Sequence, residues 1–403
     1  MKRQNRLAWL GVAIAGVSIA SARAGEETRT IQVRNEQELR AAMAKAGPGT
    51  RVLLAPGEYR GNLQFSGVRG EAGRPIVVAA ADPRNPPVFA GGGAAMHFVD
   101  PAFLELRDLV IRDMSGNGIN IDDGGTFDTP AHGIVLHGLT IRDIGPEGNR
   151  DGIKMSGVTD FRIEGCTVER WGTGGGSGID MVGCHRGVIE GNVFRHNGGS
   201  NSAGVQAKGG SSAIAVRGNR FENAGDRGVN IGGSTGIAYF RPPLGSREAG
   251  AGNVEAKAIV VEGNTFIGGG APAAFVSQVG GIVRFNTIYR PKRYVLRILQ
   301  ESRTPDFARS REGEFSDNIV AFRADEVRGI VNIGPDTAPE TFRFARNAWY
   351  CLDRPERSTP SLPSPETGGL YGKDPQFRDA EAGDLRLKEG SPAVGKGAEG
   401  LRR

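Results

Sequence analysis

Disulfides cannot organise this chain. Its 403 residues include only three cysteines, Cys166, Cys184 and Cys351, an odd number with no CxxC, so neither a disulfide framework nor a thiolate metal knuckle is specified. A Cys166–Cys184 bridge between neighbouring units is conceivable by position, but small buried thiols are the better expectation. Histidine is scarce too. His97, His132, His137, His185 and His196 show neither HxxxH nor HExxH spacing, which argues against a zinc site. Aromatic residues are 7% of the chain, which suits a narrow core of stacked aliphatic side chains rather than a broad globular one.

Long apolar runs are missing except for Leu7 to Ala20, 14 residues against the ~20 that cross a bilayer comfortably. Lys2, Arg3 and Arg6 precede that run and Ala22-Arg23-Ala24 follows it, the pattern of a secretory signal peptide over residues 1–24 cleaved after Ala24. The mature chain is therefore expected in the periplasm or outside the cell. Removing Lys2, Arg3, Arg6 and Arg23 takes the basic count from 50 to 46 against 45 acidic residues, so a nucleic-acid partner loses its electrostatic support. No membrane span and a monomeric chain are expected.

Glycine is what the chain has in excess: 63 residues of 403, against an ordinary usage of about 7%, gathered in runs between short apolar segments. Those segments repeat. Asn192, Asn219, Asn264, Asn286, Asn318 and Asn347 each sit in a strand-like context such as VIEGNVF or VVEGNTF, at intervals of 27, 45, 22, 32 and 29 residues. Cys166, Leu139 and Leu109 carry the row backwards at intervals of 26, 27 and 30. A shortest unit of 22 residues is too small for a helix pair and fits one coil of a parallel β-solenoid. Asparagine is expected here because it tolerates the left-handed backbone of a tight turn and because stacked amides can hydrogen-bond from coil to coil.

The expected fold class is therefore all-β, a parallel β-helix of about ten coils over residues 25–352. Asn35 to Ala46 supplies a helix with Asn35 as N-cap, placed to cap the open end of the solenoid. Residues 353–403 read as an irregular C-terminal strap. Two enlarged loops interrupt the coils, at about 232–256 and 299–311.

A second repeated element precedes the asparagine row: MHF, INI, IKM, IDM, VQA, VNI, LRI and a second VNI. Period-two alternation turns the middle residue of each outward. The outward row is His97, Asn120, Lys154, Asp180, Gln206, Asn230, Ala274, Arg297 and Asn332. Simple solvent exposure explains any one member, with Lys154 and Asp180 as a weak surface ion pair. Taken together, amides and single charges at about 4.8 Å per coil form a shallow groove suited to sugar hydroxyls and carboxylates. The loop after Asn230 is placed to bring Tyr239 and Arg241 over this face.

The segment Gly204 to Gly236, GVQAKGGSSAIAVRGNRFENAGDRGVNIGGSTG, resembles the secreted right-handed parallel β-helix proteins, and among them the chondroitinase B and alginate lyase group of polysaccharide lyases. AGPGTRVLLAPGEYRG and AGRPIVVAA near the N-terminus are similar to the same group. The resemblance implies a right-handed coil, β-elimination on an acidic, uronate-containing polysaccharide, and a lysine base at Lys208. The assignment it supports is Lys208 as base with Lys154 as substitute, Gln206 and Asn230 on the uronate carboxylate, and Tyr239 or Arg241 as proton donor. Asp180, Arg227 and Arg297 join the substrate face.

The pattern departs from that group in two places. Where the family's arginine stands on the next strand, this chain has Asn230 to Gly232, and Arg227 lies at the other end of its strand, roughly 16 Å from Lys208 at 3.3 Å per residue. The paired glutamates that hold calcium are absent before Lys208, leaving calcium possible only through Asp151, Asp180 and the Asp122–Asp123 pair. A glycoside hydrolase built on those aspartates, a uronate epimerase, and a non-catalytic glycan binder remain alternatives.

Overall fold

The computed structural model describes residues 29–196, 201–247, 252–303 and 306–401; the signal-peptide segment 1–24 lies outside them. Its main body is three parallel sheets of 14, 10 and 12 strands, each built by stacking one strand per turn of the chain. One coil shows the plan: Ile153–Ser156 lies in the ten-stranded sheet, Val158–Glu164 in the fourteen-stranded sheet and Thr167–Glu169 in the twelve-stranded sheet. The next coil begins at Ser177–Val182, which pairs in register with Ile153–Ser156. Period-two alternation puts Ile153, Met155, Ile179, Met181, Val205, Val229 and Ile231 inside, all fully or almost fully buried.

Glycine has a specific place in this geometry. Gly118, Gly152, Gly178, Gly204 and Gly228 stand at the start of successive strands of the ten-stranded sheet, the first two just before the strand and the other three as its second residue, and stack directly on one another. A Cβ on Gly178 would stand 2.6 Å from the Gly204 carbonyl oxygen, and one on Gly204 would stand 2.6 Å from that of Gly228. The corner closes because no side chain is there. Beside this column Phe194, Phe221 and Phe266 stack with centroid distances of 4.8 and 4.6 Å, close to the rung spacing itself.

The asparagine row forms a continuous buried ladder. Each amide Oδ1 accepts both the backbone N–H and the Nδ2 of the asparagine one coil earlier, at 2.9–3.0 Å for Asn192, Asn219 and Asn264. Each Nδ2 also reaches a carbonyl of the preceding coil, as Asn264 does to Val216 at 2.9 Å. Cys166 extends the column through its backbone N–H alone. Glu366 terminates it by accepting the N–H and Nδ2 of Asn347. One expectation needs correction: the left-handed residue of this turn is the one before the asparagine, Gly191, Gly218, Gly263, Phe285, Asp317 and Arg346. The amide serves the hydrogen bonds and the preceding residue bends the chain.

A helix closes the N-terminal end, and the C-terminal chain covers one side. The helix Glu36–Met43 begins at Asn35, whose side chain accepts from Glu38 N–H, and it buries Leu39, Ala42 and Met43 over the first coils. Glu38 in turn accepts from the Arg34 N–H, one residue before the cap, and so ties the helix start to the strand that leads into it. At the other end stacking continues beyond the boundary at 352 drawn from sequence, through Glu366–Thr367 and Leu370–Tyr371. The remaining chain, a hairpin of Phe377–Asp379 and Asp384–Leu387 followed by Gly397–Gly400, folds back along the twelve-stranded sheet. There Phe377, Leu385 and Ala393 pack on Tyr289, Ile319 and Ala348, and Arg220 donates to the Gly383 carbonyl. The cysteines are three separate buried thiols, and burial pushes Cys166 and Cys184 up to about 12.

Replacing Asn264 by Ala removes the acceptor of the Asn219 N–H and one of the two acceptors of its Nδ2, and takes a donor from the Val216 carbonyl and from the Asn286 amide oxygen, which keeps the backbone N–H of residue 264. The expected cost is on the order of 2–4 kcal/mol, read as a lowered urea midpoint. An unaltered midpoint would mean the ladder contributes nothing to stability.

Candidate functional site

The ten-stranded sheet carries the polar row in continuous register: Gln64, His97, Asn120, Lys154, Asp180, Gln206, Asn230, Ala274, Arg297 and Asn332 are successive partners. At its centre is Asp180, fully buried although its strand position faces outward. Its Oδ2 lies 2.6 Å from Lys154 Nζ. Its Oδ1 lies 3.1 Å from Lys208 Nζ and accepts from Gln206 Nε2 at 3.2 Å. Lys208 ends the strand Ala203–Lys208, so its side chain reaches back across one coil to Asp180.

A second carboxylate lies below. Asp151, in the turn before Ile153, is completely buried, contacts Lys154 Nζ at 2.9 Å and accepts the Ser177 N–H at 2.8 Å. The weak surface ion pair expected of Lys154 and Asp180 is therefore a buried triad. The neighbouring coils remove both carboxylates from water and the Asp151 turn adds a charge that strand alternation does not reveal. Burial, then the Asp180 charge, pushes Asp151 up to about 6. Burial also opposes the charge on Asp180, but Lys208 and Lys154 outweigh it and hold Asp180 below the ordinary carboxylate value. Burial works against the Lys154 ammonium as well; the charges of Asp180 and Asp151 overcome this and raise it above an ordinary lysine.

Neighbouring groups extend the network. Asn230 donates to Gln206 Oε1 at 2.9 Å and accepts from Arg227 at 3.1 Å. Arg227 starts its strand opposite Ala203, five positions from Lys208, and pairs with Glu301 at 2.5 Å. Arg297 lies farther up the row and donates to Asn332. Tyr239 is exposed on the short 3-10 helix Ile237–Tyr239. Arg241 N–H donates to the Gly209 carbonyl at 3.0 Å, so the segment crosses the turn that follows Lys208. The Arg241 guanidinium does not turn toward Lys208; it grips Asp123 with two hydrogen bonds. A cleft of about 450 Å³ opens at that corner, lined among others by Asp123, Phe127, His185, Arg241 and Lys257.

Glu255 escaped sequence reasoning. It is fully buried and accepts from Gly209 N–H at 2.8 Å, Thr235 N–H at 2.9 Å, Thr235 Oγ1 at 2.7 Å and Ser302 Oγ at 2.5 Å. One carboxylate thus ties both enlarged loops to the turn beside Lys208. Its only sequence signal was its position at the end of an unusually long loop. Asp226, Arg293 and Glu301 gave no signal, because their relation to the row depends on which loops fold over it.

The acidic residues do not fit a calcium ion. Asp151 and Asp180 share Lys154, Asp123 is held by Arg241, and Asp122 is 2.5 Å from His97 Nε2. Among the described residues no three acidic, histidine or cysteine side chains converge as a metal site, and no helix is long and apolar enough to cross a membrane.

The sequence profile described as "Right handed beta helix region" matches residues 95–311. No curated protein sequence gives a significant match. Among solved structures, the chain is similar to the GH136 lacto-N-biosidase from Eubacterium ramulus, with 13% identity, 86% of this chain and 68% of that one covered, and a TM-score of 0.55. It is similar to pectate lyase Pel9A at 13% identity, with 89% and 85% covered and a TM-score of 0.51. An alginate lyase from Paenibacillus sp. str. FPU-7 shares 18% identity over 78% of this chain and 99% of that one, with a TM-score of 0.49. At these identities the likeness concerns the fold.

The raised Asp151 value has a thermodynamic consequence. A carboxyl whose folded value lies above its unfolded value near 4 stabilises the protein most at low pH, and that contribution is lost as pH rises through about 6. Asp180, shifted downward, acts in the opposite sense and only below the unfolded value. Between pH 4 and 6 the Asp151 contribution should fall by on the order of 1.4 kcal/mol per pH unit. Urea unfolding across that window should give a stability-against-pH slope that is more positive in Asp151→Asn than in the unaltered protein; parallel curves would contradict the assignment.

Proposed function

This chain belongs to the right-handed β-helix family, and from that premise we propose that it is a periplasmic or secreted polysaccharide lyase that cleaves a uronate-containing polymer on its ten-stranded sheet. The observation that carries the reading is the vertical order of charge. Asp180 and Asp151 are 1% and 0% exposed in their side chains, while Lys154 and Lys208 above them are 28% and 13% exposed. A polymer laid on this face meets ammonium and amide groups, and the carboxylates beneath keep the ammonium groups in place. Such a surface suits an anionic glycan.

The same order speaks against a hydrolase. Two carboxylates working on a glycosidic bond must touch it or its water, whereas both aspartates are covered and already occupied. Elimination asks for different groups: a cation or amide on the uronate carboxylate, a base at C5 and an acid at the leaving oxygen. Gln206, half-buried next to Lys208, is the amide this reading assigns to the carboxylate, and the buried Asn230 orients it by donating to its Oε1. Lys154, held protonated by two aspartates, supplies a fixed positive charge as the enolate-like intermediate forms. Lys208, with one carboxylate partner, is the base in this reading, and its neutral amine takes the C5 proton. The C5–H electron pair then forms the C4–C5 double bond, the C4–O bond breaks, and the leaving oxygen is protonated. Tyr239 is the donor in this reading, since Arg241 is engaged with Asp123. The export reading rests on the 1–24 pattern.

Protein lacking residues 1–24, mixed with alginate, chondroitin, heparin-like, pectic and hyaluronan chains, should develop the unsaturated-uronate absorbance with one of them. Chelator should make no difference. Lys208→Ala should lower that turnover by about 10²-fold or more while circular dichroism stays unchanged. Unreduced turnover in this variant would remove Lys208 from the mechanism, and an unsaturated product from none of these polymers would end the lyase reading for them.

A further inference from the structure

Three arginines converge beside the row, away from Lys208. Arg227 starts a strand, Arg297 lies in the strand two rungs beyond it, and Arg293 is on the loop leading into that second strand. They share two carboxylates. Asp226 bridges Arg293 at 2.5 Å and Arg297 at 3.2 Å, and Glu301 takes Arg227 through both terminal nitrogens at 2.5 and 3.4 Å. Positive charge is in excess, and the hydrogen bonding is incomplete: Nε of Arg227 and Nε of Arg293 are buried with no acceptor. Burial, then repulsion from Arg227, holds Arg297 below the ordinary guanidinium value even with Asp226 beside it. Arginine presents a fork that matches a carboxylate with two parallel hydrogen bonds.

The two acids differ in kind. Asp226 is nearly buried, with 9% side-chain exposure, whereas Glu301 is 32% exposed and belongs to the enlarged loop rather than to the coil. The Glu301 backbone is held independently, by its N–H to Ser277 Oγ at 3.0 Å. Its side chain can therefore leave Arg227 without undoing the loop.

We infer that Arg227, Arg293 and Arg297 form a second subsite for a carboxylate of the glycan, and that Glu301 occupies this subsite as an internal substitute until a glycan carboxylate displaces it. The inference rests on reading the ten-stranded sheet as a glycan groove. Arg297 stands three rungs beyond Gln206 in the register, roughly 14 Å at about 4.8 Å per rung. A single sugar at Lys208 cannot reach it; a chain of several uronates can. The subsite thus selects for length and for repeated negative charge, and the Glu301 contact sets a threshold that a neutral or singly charged ligand does not overcome.

Calorimetric binding of di- and hexasaccharides of alginate and of polygalacturonate, with a neutral cellohexaose control, tests this apart from any turnover. At least one uronate hexamer should bind more tightly than its dimer and than cellohexaose. Arg297→Gln and Arg293→Gln should each weaken the hexamer by roughly 10- to 100-fold and leave the dimer almost unchanged. Arg297→Lys should restore part of the loss. Glu301→Gln should act in the opposite direction and tighten the hexamer several-fold, with unfolding temperature as the folding control. Hexamer affinity indifferent to both arginine changes, no gain of hexamer over dimer, or a Glu301→Gln variant that weakens binding would each overturn the inference. Loss of Lys208-dependent product with this binding pattern intact would instead remove the lyase reading alone.

Discussion

Hydrogen bonding from one coil to the next is the constraint on which the rest depends. A parallel strand cannot satisfy its own backbone, so each coil needs another above and below it. The asparagine ladder extends the same rule into a side chain, linking Asn192 to Asn347 through the body of the protein. Register then follows. With the amides locked in one column, every other position in the coil is also fixed in a column. That is how Phe194 meets Phe221, and how Lys154 meets Asp180 although 26 residues separate them.

Stacking in register has an electrostatic cost. Residues on one outward row stand a rung apart, so a charged residue must have a partner or a neutral neighbour in the next coil. Here Asp180 sits between Lys154 and Gln206 and is reached by Lys208, so one charge of each sign stands beside the other in the row, with an amide, Asn120 or Gln206, on either flank. The buried Asp180 and Asp151 then act as a foundation: removing one partner would leave an uncompensated charge, which is far costlier than losing a surface pair. Loops complete the arrangement. Glu255 joins Thr235 and Ser302 to the turn after Lys208, so the two longest insertions serve the same few residues.

Much of this was legible in the chain. Period-two triplets and the spacing of Asn192 to Asn347 gave the coils and the membership of the outward row, because a solenoid repeats one local rule and sequence records local rules well. The helix after Asn35 was legible for the same reason, its cap being a local hydrogen bond. The left-handed turn residue was misplaced by one position, since Gly precedes Asn in three of the six repeats and only the other three, with Phe285, Asp317 and Arg346 before the asparagine, separate their roles.

Sequence alone settled which side chains share a wall, since that follows from alternation and period. Tertiary structure decided what those side chains do there. Asp180 became a buried anion because longer neighbours close over it. Arg241 turned to Asp123 because its loop crosses the corner in one direction, and the C-terminal segment ran back along the twelve-stranded sheet to cover Tyr289 and Ile319. Each of these depends on contacts between segments whose separation along the chain carries no period, and such contacts exist only once the coils are stacked.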